Sequence, residues 1–173
     1  MKKIIFILVF VFINLSFAFK VEPFGIEEMK KYCTECHFVY QAEFLPKRSW
    51  KKMFKNEELA HHFGKKVVLN DEIKKDFLRY YLLNASDEKN TKASRKIDKS
   101  ISSDKTYLRV SKVPYIVSKH DDLPEEMIVD NQKVKTYGNC TACHDAKNGD
   151  YDEDNVKVPN WEKRFFFGWS KKD

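Results

Sequence analysis

The chain has 173 residues, with 32 lysines and arginines against 26 acids, and only four cysteines. That length fits one large or two small domains, and two small ones are short of apolar material unless something besides side chains fills the interior. The basic excess is mild and both signs are interleaved, which reads as a solvated lysine-rich surface and argues against nucleic acid as a partner.

The first element is a leader. Met1-Lys2-Lys3, an apolar run from Ile4 to Leu15 and then Ser16-Phe17-Ala18 supply the charged, apolar and small-residue regions of a secretory signal, residues 1–18. The apolar run falls short of the about 20 residues of a spanning helix, so cleavage after Ala18 is expected, with a retained membrane anchor as the alternative. Cleavage removes Lys2 and Lys3, leaving 30 basic side chains against 26 acids, a formal +4. No later segment is built to span a membrane, which places the mature chain in the periplasm.

Next comes Cys33-Thr34-Glu35-Cys36-His37, two thiols two residues apart with an imidazole directly after. Trp50, Met53 and Phe54 stand at i, i+3 and i+4. Ile73, Phe77, Tyr80 and Tyr81 stand at i, i+4, i+7 and i+8, so two amphipathic helices are predicted, the second capped by Asn70. Their aromatic stripe reads as core and pocket lining. Between them, Asn56 to Gly64 predicts a short helix with an asparagine cap, early acids and a glycine stop. Residues 84–105 are dominated by Ser, Lys, Asp and Asn, the composition of a linker; the boundary is set at 91–105, with one domain over 19–90 and another over 106–173. Thr106 to Val110 has strand composition but no convincing partner strand. Pro114 is placed to open a helix that ends near His120, with Asp121 and Asp122 in an exposed turn. Cys140-Thr141-Ala142-Cys143-His144 then repeats the cysteine motif. The aromatic tail from Trp161 to Trp169 is expected to pack back over that second motif; a docking or membrane-surface patch is the sharper alternative.

C-x-x-C-H is the attachment signature of haem c. The spacing brings both thiols to one side of a turn, where each adds to a vinyl group of the macrocycle, and the following histidine reaches the iron. Paired C-x-x-C motifs also make zinc sites, but zinc ribbons set the pairs about 15–20 residues apart. Here the gap exceeds a hundred. Disulfides or a redox dithiol are compatible with export, yet neither explains a histidine after both pairs. Two covalent haems c are therefore expected, held by Cys33, Cys36, Cys140 and Cys143, with His37 and His144 as proximal iron ligands.

Each iron needs a second ligand, and three histidines are left: His61, His62 and His120. Adjacent helical residues diverge by about 100°, so only one of His61 and His62 faces a given haem. Leu59, His62 and Phe63 share the spacing of an inward face, which favours His62. His120 lies twenty residues before Cys140 and is favoured on spacing for the second iron, with Met127 as its competitor. Met29 and Met53 are the other methionines of the mature chain.

The fold expected is mainly α-helical with much irregular structure, two small c-type cytochrome domains organised by their haems. The chain resembles the bacterial dihaem cytochrome c family, small periplasmic proteins with two haem-binding domains. The likeness rests on Cys33 to Tyr40, Phe44-Leu45-Pro46-Lys47-Arg48-Ser49-Trp50, His62-Phe63-Gly64, Tyr115 to Asp121 and Gly138 to His144. It implies bis-histidine ligation, with His62 and His120 as distal ligands. It also implies a membrane cytochrome b as electron donor and a small oxygen-binding monohaem cytochrome as acceptor. Methionine ligation raises the potential of a c-type haem, so two bis-histidine irons suggest a low-potential electron carrier. The rival is a dihaem peroxidase or reductase in which one iron keeps an open site.

Overall fold

The protein is described by a computed structural model that covers residues 27–164 and 168–172. The expected signal at 1–18 lies outside the described residues, as do Phe165, Phe166 and Phe167 of the tail. Seven α-helices, a few 3-10 turns and one two-stranded hairpin make up the described part, the mainly helical and irregular architecture expected. No helix among the described residues is long and apolar enough to cross a membrane.

Helix α1 (Glu27–Cys33) opens on Glu27 and Glu28 and closes on Lys30 and Lys31, charges that complement its dipole. It buries Met29 completely and delivers Cys33 as its last residue. A 3-10 turn at Ala42–Phe44 leads to Pro46, whose extended backbone starts α2 (Lys47–Met53). The indole of Trp50 donates to the carbonyl of Ala42 at 2.8 Å, tying helix to turn. After the single turn of α3 (Asn56–Ala60), α4 (Asp71–Leu83) begins at Asn70, whose side chain accepts from the amide of Ile73 as predicted. Phe77 and Tyr81 are its buried face, and the Tyr81 ring lies 4.1 Å from that of Trp50.

The stretch expected to be a linker is instead largely helix α5 (Lys92–Ser100). Thr91 and Ser94 cap it reciprocally, and the Thr91 hydroxyl donates to the buried carboxylate of Glu43. Ala93, Ile97 and Ile101 recur at i, i+4 and i+8 and are buried. Three apolar residues on one stripe are enough to dock a short helix, although they barely register in the average composition. The helix packs on the 3-10 turn at 42–44 and on α6 (Pro114–Ser118), which Pro114 opens at its first position. Thr106 to Val110 forms no strand. Arg48 holds the preceding loop by donating to the carbonyls of Ser102 and Lys105 at 3.0 and 2.8 Å.

Two apolar clusters result. The larger joins Met29, Phe44, Trp50 and Phe77 to Ile97 and Val113, so packing continues across the expected domain boundary. The smaller holds Met127 and Ile128 of α7 (Glu125–Ile128) with Val134 and Val158. Strands β1 (Trp161–Arg164) and β2 (Gly168–Lys171) pair antiparallel, Trp161 opposite Lys171. Trp161 and Trp169 pack on the smaller cluster, the backward packing anticipated for the tail.

Candidate haem-binding sites

Each cysteine motif turns through one loop of backbone. In the first, α1 ends at Cys33 and the amide of Thr34 still donates to Lys30; in the second, a 3-10 turn at Cys140–Ala142 is closed by the amide of His144 donating to Cys140 at 2.9 Å. Both motifs open onto cavities of nearly equal size, about 520 and 510 Å³. These fall within the about 300–1,000 Å³ of cofactor sites. Cys33, Cys36, His37 and His62 line the first; His120, Cys140, Cys143 and His144 line the second.

Across each cavity two imidazoles face one another. The ring centroids of His37 and His62 are 6.0 Å apart, and those of His120 and His144 are 6.1 Å apart. An imidazole nitrogen binds a metal at about 2 Å, so two such bonds in line, with half a ring at each end, span about 6 Å. The spacing is that of one metal atom held between two histidines. In each pair one ring is oriented by backbone: Nδ1 of His37 lies 2.6 Å from the carbonyl of Phe38, and Nδ1 of His120 lies 2.7 Å from that of Ile116. A carbonyl only accepts, so the proton is on Nδ1 and the Nε2 lone pair is left for a metal. Nδ1 of His62 and of His144 is buried without a hydrogen-bond partner. Burial lowers the pKa of His62, with His37 and Arg109 adding to the shift. Burial and the nearby His120 bring His144 down to about 4, against the opposing pull of Asp150. Both rings are thus neutral, the form that ligates.

The thiols point the same way. Burial raises the pKa of Cys33 and Cys143 and pushes Cys140 up to about 12, so these three stand as protonated thiols. All four cysteines are unpaired, and among the described residues no three His, Cys, Asp or Glu side chains converge as a metal-ion site. A macrocycle joined at two carbons per motif fits these residues, whereas the zinc alternative does not.

The structure separates the competing ligands. Helix α3 stops at Ala60, short of the predicted glycine, and a tight loop follows in which the amide of Lys65 donates to His62 and that of Val67 to Leu59. The loop turns His62 into the cavity and leaves His61 exposed. Phe63 is not fully inward as the helical pattern suggests: its backbone is left-handed at φ 48° and it is 44% exposed. Met127 is sealed in the smaller apolar cluster and does not itself line the second cavity, although its neighbours Ile128, Val134 and Val158 do, while Met29 and Met53 are part of the first cavity's wall.

What sequence reasoning missed is the joint between the sites. Val110, Val134, Thr136 and Asn139 line both cavities, so the two share a wall one residue thick. The ring of Tyr40 lies 5.2 Å from that of His37, and its hydroxyl donates to Gly138 at 2.6 Å. The next residue, Gln41, is 2% exposed; its amide donates to the carbonyl of Ala146, and its oxygen accepts from the Tyr151 hydroxyl at 2.7 Å. The Tyr151 ring in turn lies 5.3 Å from His144. These contacts join residues about a hundred positions apart, and no periodicity within either motif announces them.

Two C-x-x-C-H turns, each on its own cavity with a histidine pair at metal-bridging distance, define a two-haem c-type cytochrome. A family model for dihaem cytochrome c matches residues 29–151, and the chain belongs to that family. It therefore carries two covalently bound haem c groups with iron and transfers electrons. The chain is similar to a diheme cytochrome c from Rhodobacter sphaeroides, with 28% identity, a TM-score of 0.65, and 76% of this chain and 100% of that one covered. It is also similar to the X-ray structure of a diheme cytochrome type c from Shewanella baltica, with 27% identity, a TM-score of 0.60, and 77% and 92% covered. No functionally curated protein matches the chain.

Proposed function

We propose that this protein is a low-potential electron relay with two bis-histidine haems. Cys33 and Cys36 anchor the first haem, between His37 and His62; Cys140 and Cys143 anchor the second, between His120 and His144. The segment from about 19 to 90 supplies the cysteines and histidines of the first haem and that from about 106 to 173 those of the second, while residues such as Arg109 and Lys135 of the later segment also wall the first cavity. The observation that carries the reading is the facing imidazole pair in each cavity, 6.0 and 6.1 Å apart. When bound, each iron alternates between ferric and ferrous and so holds one electron. His37 with His62, and His120 with His144, would hold the two irons from both sides, which would leave no vacancy for peroxide or oxygen, and the chain would keep the four imidazoles oriented while charge changes. The Met1 to Ala18 pattern supports export to the periplasm. The family resemblance supports a membrane cytochrome b as donor and a small oxygen-binding monohaem cytochrome as acceptor.

The test is spectroscopic. The resting ferric holoprotein is expected to be wholly low-spin by absorption and by EPR at low temperature. Replacing His62 or His120 by alanine creates one high-spin haem in each case. A high-spin haem in the unmodified protein would sink the relay and favour a peroxidase or reductase.

A further inference from the structure

The two cavities differ in charge. Lys65, Arg109 and Lys135 line the first, and no acid lines it. None of the three is ion-paired among the described residues. The second cavity is lined by Lys92, Lys96, Lys119 and Lys163. Against them stand Asp122, Asp152, Glu153 and Asp154, equal in number. Lys119 approaches Glu153 at 3.9 Å and Lys163 approaches Asp154 at 3.7 Å, so part of this charge is cancelled locally. Both haems bring the same charge of their own, and the difference between the walls survives their attachment.

Two of the three cations are placed by unusual backbone. Lys135 is left-handed at φ 67°, between Val134 and Thr136, which line both cavities, yet Lys135 itself lines only the first. Phe63, left-handed at φ 48°, carries the Arg109 guanidinium 4.1 Å above its ring, and the same ring lies 4.8 Å from His62. Non-glycine residues rarely adopt this conformation and persist in it only where the surroundings impose it.

Taking the bis-histidine relay as given, we infer that Lys65, Arg109 and Lys135 set the haem at Cys33 and Cys36 to the higher potential, so that an electron entering at the second haem passes inward to the first. Reduction adds one negative charge to a site, and uncompensated cations in its wall favour that state, whereas a balanced wall does not. In the internal step one electron crosses the shared wall, oxidising the second iron to ferric and reducing the first to ferrous. No proton or ligand moves. The donor then meets the second cavity and the acceptor the first.

The experiment is a spectroelectrochemical titration of the holoprotein, resolving two midpoint potentials. Lys135→Gly removes one cation and relieves the left-handed backbone, so thermal stability should hold or rise while the higher potential falls and the gap narrows. Arg109→Gln should do the same to the higher potential, and Lys135→Arg should leave it in place. Glu153→Gln unbalances the second wall and should raise the lower potential. Added salt should also narrow the gap, because exposed charges are screened. The inference is overturned if the lower potential is the one that responds to Lys135→Gly and Arg109→Gln, if both fall together, or if neither moves. The spin state recorded before titration keeps the outcomes apart. A high-spin haem there refutes the relay; two low-spin haems with the wrong response refute the ordering alone.

Discussion

Replacing Gln41 by leucine tests whether the joint between the haem sites is structural. Gln41 is 2% exposed, and its two hydrogen bonds reach Ala146 and Tyr151, both in the half of the chain that holds the second motif. A buried hydrogen bond contributes about 0.5–1.5 kcal/mol net, and a partner left unsatisfied inside costs about 1–3 kcal/mol. Leucine matches the volume and regains apolar burial, so the net loss is expected at about 2–4 kcal/mol. In a chain of this length that lowers Tm by about 4–16 °C. The assay is thermal and denaturant unfolding of the holoprotein, followed by haem absorption. A double-mutant cycle with Tyr151→Phe isolates the bond itself, since Gln41→Leu should cost about 1 kcal/mol less once the phenol is gone. Equal costs in both backgrounds, or a Gln41→Leu protein as stable as the parent, would refute the reasoning.

Ile97 is fully buried in α5, and Ile97→Ala is expected to cost about 2–4 kcal/mol by denaturant unfolding, whereas a linker residue would cost nothing measurable. The planes of His37 and His62 meet at 38° and those of His120 and His144 at 77°. Two distinct low-spin ferric EPR signals are therefore expected, the crossed pair giving the larger g anisotropy, and a single set of g values would contradict these ring orientations. Gly138 has room for a methyl only 3.1 Å from the Tyr40 hydroxyl. Gly138→Ala should therefore displace Tyr40 from its hydrogen bond and destabilise the protein by about 1 kcal/mol, read from the unfolding midpoint.

The chemistry of this chain was more legible than its assembly. Covalent attachment needs fixed residue types at fixed spacing, so the two C-x-x-C-H motifs can be read one at a time. Helix α4 was legible for a related reason: its stripe and its Asn70 cap are local. His62 lines the cavity and His61 does not, but the helical spacing is not what places them. The helix ends at Ala60, and a turn with Phe63 at positive φ does the orienting. Helix α5 escaped notice because only Ala93, Ile97 and Ile101 mark it within a run of polar residues. Arg109, Gln41 and Tyr151 could not have been found from local pattern, since what matters about each is a neighbour distant in the sequence.

Those distant contacts fix how the two cavities sit relative to one another. Two haem domains on a flexible tether would leave the distance between irons free to vary, and transfer between them would depend on chance encounter. Here the tether is itself packed: α5 sits on the 3-10 turn at 42–44, Arg48 grips the loop after it, and Gln41 clasps Tyr151 beside His144. With Val110, Val134, Thr136 and Asn139 shared by both cavities, the two sites are joined by a common wall. The polar segment between the motifs therefore acts as a spacer of fixed length, and substitutions that loosen it should slow exchange between the haems before they disturb either iron's own ligands.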